Sequence, residues 1–139
     1  MIVVDTNVVS ALMRLDREPA VRAWLDRQPI EKLRVTAPTV FEIHYGLSAL
    51  PAGRRRREMD ARLADVMADV FANKVIPLDN EAARLAGSTH AEHVTNGRNV
   101  DVADSQIAGI ARLLGAAIAT RNTADFTGLG ILLVNPWSP

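Results

Sequence analysis

The chain contains no cysteine. A disulfide framework and a thiolate zinc site are both excluded. The same absence fits a reducing compartment. No apolar run approaches the ~20 residues that a helix needs to cross a bilayer. The amino terminus lacks the basic segment and apolar stretch of a secretory signal. The expectation is a cytoplasmic protein with no membrane partner. Aromatic residues are scarce, with three Phe, two Trp and one Tyr, which argues against a base-stacking platform of the single-strand-binding type. Net charge is missing too. The 16 basic and 16 acidic side chains cancel, whereas nucleic-acid binders more often carry a basic excess.

What is present is a regular alternation of short apolar runs and helical patterns. The 139 residues suit one domain, 1–139, long enough to bury a core unaided. Ile2–Val4, Leu33–Ala37, Val75–Leu78, Ala116–Thr120 and Ile131–Val134 read as strands. Helical spacing covers Asn7–Met13, Pro19–Gln28, Thr39–Leu50, Arg54–Ala72, Asn80–Val94 and Asp101–Leu114, with Gly115 as a stop. Asn96-Gly97-Arg98-Asn99 reads as the loop leading to Asp101. The strands are mostly apolar rather than alternating, as buried parallel strands are. Alternating strands and helices predict an α/β fold, a parallel sheet covered on both faces.

Polar residues interrupt this pattern at telling places. Met1-Ile2-Val3-Val4 ends in Asp5, followed by Thr6 and Asn7. The carboxyl end of such a strand is where open α/β sheets bind ligands. Asp5 is equally placed to cap the next helix. Glu42 follows another apolar run, but Thr39-Val40-Phe41-Glu42 also matches a capping box, in which Glu reaches back to the cap residue. Gly46 stands one turn later on the same face, suggesting close approach of another element or a substrate. Asp104 shares a helix face with Ile107, Ala108 and Ala111, where an unpaired carboxylate is costly. Asp101, one turn earlier, reads better as an N-cap than as a second acid. Asn122 and Asp125 follow Ala119-Thr120-Arg121 and are candidates for a fourth polar position, with ordinary turn chemistry as the alternative.

These groups offer only oxygen, a donor set that selects Mg²⁺ or Mn²⁺ over zinc. The expectation is a metal-dependent enzyme with Asp5, Glu42 and Asp104 as ligands and Asn122 beside them. His90 and His93 read as an exposed helix face without a further ligand, and His44 as structural. Arg54-Arg55-Arg56-Arg57 reads as a solvated helix start that leaves room for phosphate contact.

Four segments together resemble a PIN domain: Met1 to Val8, Thr39 to Ile43, Val102 to Ala108 and Ala119 to Phe126. The closing Val134-Asn135-Pro136-Trp137 resembles the FitB-like branch of VapC toxins. The resemblance implies a three-layer α/β/α domain with a central parallel sheet. It implies a Mg²⁺- or Mn²⁺-dependent ribonuclease, the toxin of a type II toxin–antitoxin pair. Asp5, Glu42 and Asp104 match the three family acids, and neutral Asn122 stands where several relatives carry Asp. The implied partners are an RNA substrate, with tRNA as the first candidate, a cognate antitoxin, operator DNA reached only through that antitoxin, and a second copy. Apolar side chains on the helix from Arg54 and the helix ending at Leu50 are expected to form the homodimer face and a groove for an antitoxin helix. Two other classes stay open. A haloacid-dehalogenase-like phosphatase would want a second acid at position 7, where Asn7 stands. A non-catalytic binding module would use the acids only as caps.

Overall fold

The computed structural model describes residues 1–139. In chain order the elements are β1 (Ile2–Val4), α1 (Thr6–Leu12), α2 (Pro19–Asp26), β2 (Leu33–Thr36), α3 (Ala37–Ala49), α4 (Arg54–Asp69), β3 (Val75–Ile76), α5 (Asn80–Thr95), α6 (Val102–Leu114), β4 (Ala117–Ala119) and β5 (Leu133–Val134). Short 3₁₀ turns occupy Leu15–Arg17, Ile30–Lys32 and Thr123–Phe126. The strands pair in the order β3-β2-β1-β4-β5, every neighbour parallel. The expected α/β architecture is therefore present, with β1 at the centre.

Strand alternation sends successive side chains to opposite faces. Val4 and Ala119 join the larger core cluster, with Val8, Val21, Trp24, Ile43, Leu63 and Val66 from α1 to α4. Val3 and Ile118 join the smaller one, with Ile107, Ala108 and Ala111 from α6. The layers are thus α1–α4, sheet, and α6 with α5 behind it. The chain passes to one side of β1 through β2 and returns on the other through β4. The carboxyl ends of β1 and β4 therefore flank the point where the winding reverses, the usual ligand crevice of such sheets.

Several boundaries differ from the sequence reading, each for a local reason. Helix α3 starts at Ala37, not Thr39, because the Thr36 hydroxyl accepts from the Thr39 N–H at 3.3 Å. Pro38 fits this first turn, where no N–H is needed. Glu42 consequently lies inside α3 rather than just past a strand, and the capping box is not used. Helix α4 ends at Asp69, not Ala72. Val70 and Phe71 drop into the core and Asn73, at φ 58, turns the chain toward β3. Gly115 ends α6 as expected, at φ 61.

The apolar stripe of α4 serves the core first. Leu63 and Val66 are buried, and Met59 and Met67 pack against the same core. Met59 also lines an open groove with Met13, Leu47 and Leu50, between α1, α3 and α4.

Two mid-helix glycines separate packing from propensity. A Cβ on Gly109 would lie 2.6 Å from the Ala86 backbone, so α5 and α6 meet only because that Cβ is missing. A Cβ on Gly46 would touch nothing within 4 Å, so no element approaches there. Gly46→Ala should raise stability by up to ~1 kcal/mol through helix propensity. Gly109→Ala should lower it by about 1–3 kcal/mol through overpacking. Denaturant unfolding of both variants checks the opposite signs.

Candidate active site

Asp5 is the residue that leaves β1, and it is 3% exposed. Its backbone N–H still pairs with the Ala119 carbonyl of β4 at 2.9 Å, which fixes its position against the sheet. The carboxylate is held by neutral donors. Thr120 Oγ1 donates to Oδ2 at 2.7 Å, the Thr6 N–H to Oδ1 at 2.7 Å, and Asn7 Nδ2 to Oδ2 at 3.2 Å. The capping reading is thus partly right, because Asp5 is the N-cap of α1. Its bond goes to the first helical N–H, not to the second or third as in an ordinary cap. Burial pushes its pKa up in spite of the Thr120, Thr6 and Asn7 bonds, and the Asp125 charge adds to the rise.

Glu42 projects from α3 toward the same end of the sheet. Its Oε1 accepts the Thr6 hydroxyl at 2.7 Å. Thr6 therefore donates its N–H to Asp5 and its O–H to Glu42. Burial raises the pKa of half-buried Glu42, the Thr6 bond opposes this, and the charges of Asp5 and Asp101 raise it further. Asp104 stands in the first turn of α6, where free helix N–H groups favour a carboxylate. Burial and then the charges of Asp5, Asp125, Glu42 and Asp101 push it to about 7. No hydrogen bond offsets that rise.

The sequence-derived residues separate into two groups. Asp5, Glu42 and Asp104 come together, close enough to raise one another's pKa. Asp101 and Asp125 join them electrostatically. Asp101 occupies the N-cap position of α6 but makes no capping bond, contrary to the preference for a cap. Exposed Asn122 makes no side-chain hydrogen bond; its backbone is engaged, the N–H by Thr120 Oγ1 at 3.0 Å and the carbonyl by the Asp125 N–H at 3.0 Å. Its neighbour Asp125 carries the electrostatic coupling instead. Sequence reasoning did not single out Thr6, Asn7 and Thr120 as the groups that hold the acids. Their one sequence signal is small polar side chains directly after β1 and β4.

His90 and His93 correct the expectation of an exposed face. His93 is 1% exposed, and both rings meet Ser105 Oγ through Nδ1, at 2.8 Å for His90 and 3.3 Å for His93. A hydroxyl has one proton, so one ring accepts it while the other donates to the oxygen. Burial first, and the nearby Arg98 charge second, lower the His93 pKa. The pair ties α5 to α6 behind Asp104. His44 is exposed on α3. Of the arginine run, Arg54 pairs with Glu58 at 2.9 Å. Arg55 reaches a groove of about 260 Å³ that also contains Glu42, Gly46, Thr6 and Arg14.

No ion pair in the protein involves the three acids; the pairs are Arg14–Glu18, Arg54–Glu58 and Arg112–Glu92. The donor set is all carboxylate, partly buried and uncompensated, which is what a hard divalent cation relieves. No three of these side chains are drawn tightly enough to share an ion directly as they stand. By the chemistry of the donor set the residues fit a hard divalent cation, and Asp5, Asp104 and Glu42 are the ones that would hold it.

An α/β/α layer structure with an acid cluster at its winding reversal defines the class, and the comparisons agree with it. The PIN domain family model matches residues 2–130. The chain is 41% identical over 139 residues to "VapC ribonuclease Y4jK" of Sinorhizobium fredii, covering 100% of this chain and 99% of that protein. It is 31% identical over 137 residues to "Toxin FitB" of Neisseria gonorrhoeae, covering 99% of each. A solved structure of FitAB bound to an IR36 DNA fragment superposes with a TM-score of 0.88 at 30% identity, covering 100% of this chain and 97% of that one. The chain belongs to the PIN domain family, in the branch that contains FitB.

The raised pKa of Asp104 sets a pH dependence. A carboxyl at about 7 when folded and 3.8 as its ordinary value binds its proton more tightly in the native state. Its stabilising contribution is complete below the lower value and is lost as pH rises through the higher one. Without metal, Asp104→Asn should therefore gain stability over the wild type across that interval, with no further gain above it. Thermal unfolding in chelator from pH 4 to pH 8 checks this, and an identical pH dependence in both proteins contradicts it.

Proposed function

We propose that this chain is the toxin of a toxin–antitoxin pair, acting as a divalent-metal-dependent ribonuclease that hydrolyses RNA phosphodiester bonds. The observation that carries this reading is the cluster of Asp5, Glu42 and Asp104, partly buried and paired with no cation, in a chain that matches named VapC and FitB relatives end to end. The metal is Mg²⁺ or Mn²⁺. When bound, it supplies Lewis acidity at the phosphate and lowers the pKa of water.

The chain's own residues supply the rest. Asp5, fixed by Thr6, Asn7 and Thr120, gives the site a rigid ligand. Asp104 presents a second carboxylate that ionises near neutrality, so ion binding competes with one proton. Glu42, steadied by the Thr6 hydroxyl, orients the attacking water and accepts its proton. Asn122 and Asp125, on the turn after β4, complete the outer polar shell.

Two alternatives lose support. Asn7 stands where a dehalogenase-like phosphatase would need its second acid, and its amide is engaged with Asp5. A module whose acids only cap helices does not account for Glu42 and Asp101, which make no capping bonds.

The partners follow the same reading. An antitoxin covers the toxin and carries it to operator DNA, and the pair acts in the cytoplasm; no helix is long and apolar enough to cross a membrane. With few grouped cations, the substrate is a structured RNA read by shape, tRNA being the first to test. Of the two helices expected to carry self-association, α3 offers the more exposed aromatic surface. There Phe41 and Tyr45 are 71% and 69% exposed and stack at 6.3 Å between ring centroids.

The main test is cleavage of total RNA by purified protein with Mg²⁺ or Mn²⁺, read by end-sequencing. Discrete cuts are expected with metal and none in chelator; no metal-dependent cutting contradicts the reading. Glu42→Gln and Asp104→Asn should stay folded and lose about 10²-fold or more of the activity. A capping role for Glu42 would instead leave Glu42→Gln active. Sedimentation at micromolar concentration should show a homodimer that Tyr45→Asp weakens, and a monomeric wild type contradicts the dimer.

A further inference from the structure

Arg121 lies two residues past β4, at the same end of the sheet as Asp5. Its backbone is tied to the acid cluster. The Arg121 N–H donates to Asn7 Oδ1 at 3.2 Å, and the Asn7 amide donates to Asp5 Oδ2 at 3.2 Å. Its side chain goes elsewhere. The guanidinium carbon sits 4.9 Å from the centroid of the Trp137 ring. That ring is itself fixed, since the indole N–H donates to Glu18 Oε2 at 2.9 Å and the Trp137 backbone N–H to Asn135 Oδ1 at 3.0 Å. The closing Asn135-Pro136-Trp137 segment thus holds an arginine at the rim of the site.

The guanidinium takes part in none of the ion pairs and donates to no protein group. An unrestrained arginine on an exposed turn would spread over many rotamers. Stacking on an indole instead keeps its flat face occupied and its N–H edge free. A free planar edge with paired N–H donors suits the bidentate geometry of a phosphate. Because the chain has no net positive charge, an arginine held in place at this end of the sheet matters more than its number suggests.

We propose that Arg121, held on Trp137, binds a backbone phosphate of the RNA next to the one that is cut. This rests on the ribonuclease reading above. The contact is to the backbone, so it carries no sequence preference and is sensitive to salt. Glu18 serves it at one remove by fixing the indole and, through Oε1, meeting Arg14 at 3.5 Å.

The test uses Arg121→Ala, Arg121→Gln and Trp137→Leu in the full chain. Binding is read by anisotropy with end-labelled unfractionated tRNA and Mg²⁺ on the cleavage-dead Asp104→Asn background. Removing the guanidinium should weaken binding about tenfold, the size expected for a charged hydrogen bond. It should also lower the slope of log Kd against log salt by ~0.7–0.9, one phosphate contact. Trp137→Leu keeps the charge, so affinity should fall less and the slope should stay. In the otherwise wild-type chain, both Arg121 variants should cut total RNA more slowly at low RNA and recover at high RNA. Their Mg²⁺-dependent thermal shift should be unchanged, which separates substrate binding from damage to the acid site. Unchanged affinity and salt slope in both Arg121 variants, in a protein whose parent cuts RNA, overturns the phosphate assignment alone. A wild type that cuts no RNA overturns the ribonuclease reading and this proposal with it.

Discussion

The burial of several carboxylates together, with no cation beside them, is the constraint on which the functional end of this molecule depends. Asp5, Glu42 and Asp104 share one end of the sheet, with Asp101 and Asp125 adding their charge. Desolvation makes each charge more costly than it would be in water. The fold answers with dipoles, not cations. Thr6 serves two acids at once, and Asn7 and Thr120 complete the set around Asp5. A lysine or arginine paired there would relieve the repulsion and also occupy the place of an ion. Hydroxyl, amide and backbone donors stabilise the geometry and leave the net charge in place.

The strands and helices position that cluster through ordinary packing. Parallel strands are buried on both faces, so β1 can be only Ile2–Val4 and still be central. Its short run sends Val3 and Val4 into separate cores and ends at Asp5. Helices α5 and α6 meet across Gly109, which sets where the first turn of α6, and so Asp104, stands relative to the sheet. The His90–Ser105–His93 contact lies one residue beyond Asp104 and fastens the same turn.

Much of this was legible in the chain. Alternating apolar runs gave the order of elements, because burial on both faces leaves a plain signature. Asp104 stood out because a carboxylate among Ile107, Ala108 and Ala111 violates its own helix face. Other features needed the third dimension. Glu42 obeyed a local capping rule, and only the Thr36 cap, three residues upstream of the expected start, shows that rule unused. His93 looked solvent-facing because the partner that buries it, Ser105, is on another helix. Composition argued against a base-stacking platform but not for any placement of the few aromatics, and two of them, Phe41 and Tyr45, are exposed on the helix that carries Glu42. Counts report how many such residues exist and not where they lie.

The most direct measurement of the central claim is calorimetry of Mn²⁺ binding to the metal-free protein near pH 6.5, in buffers that differ in ionisation enthalpy. If the acids form a divalent-ion site in which Asp104 is pushed to about 7, the ion must displace a proton when it binds. The observed enthalpy should then vary with the buffer, showing proton release near pH 6.5 that fades by pH 8 and is absent in Asp104→Asn. Binding with no proton release at either pH, or unchanged binding in Asp104→Asn, would contradict the account.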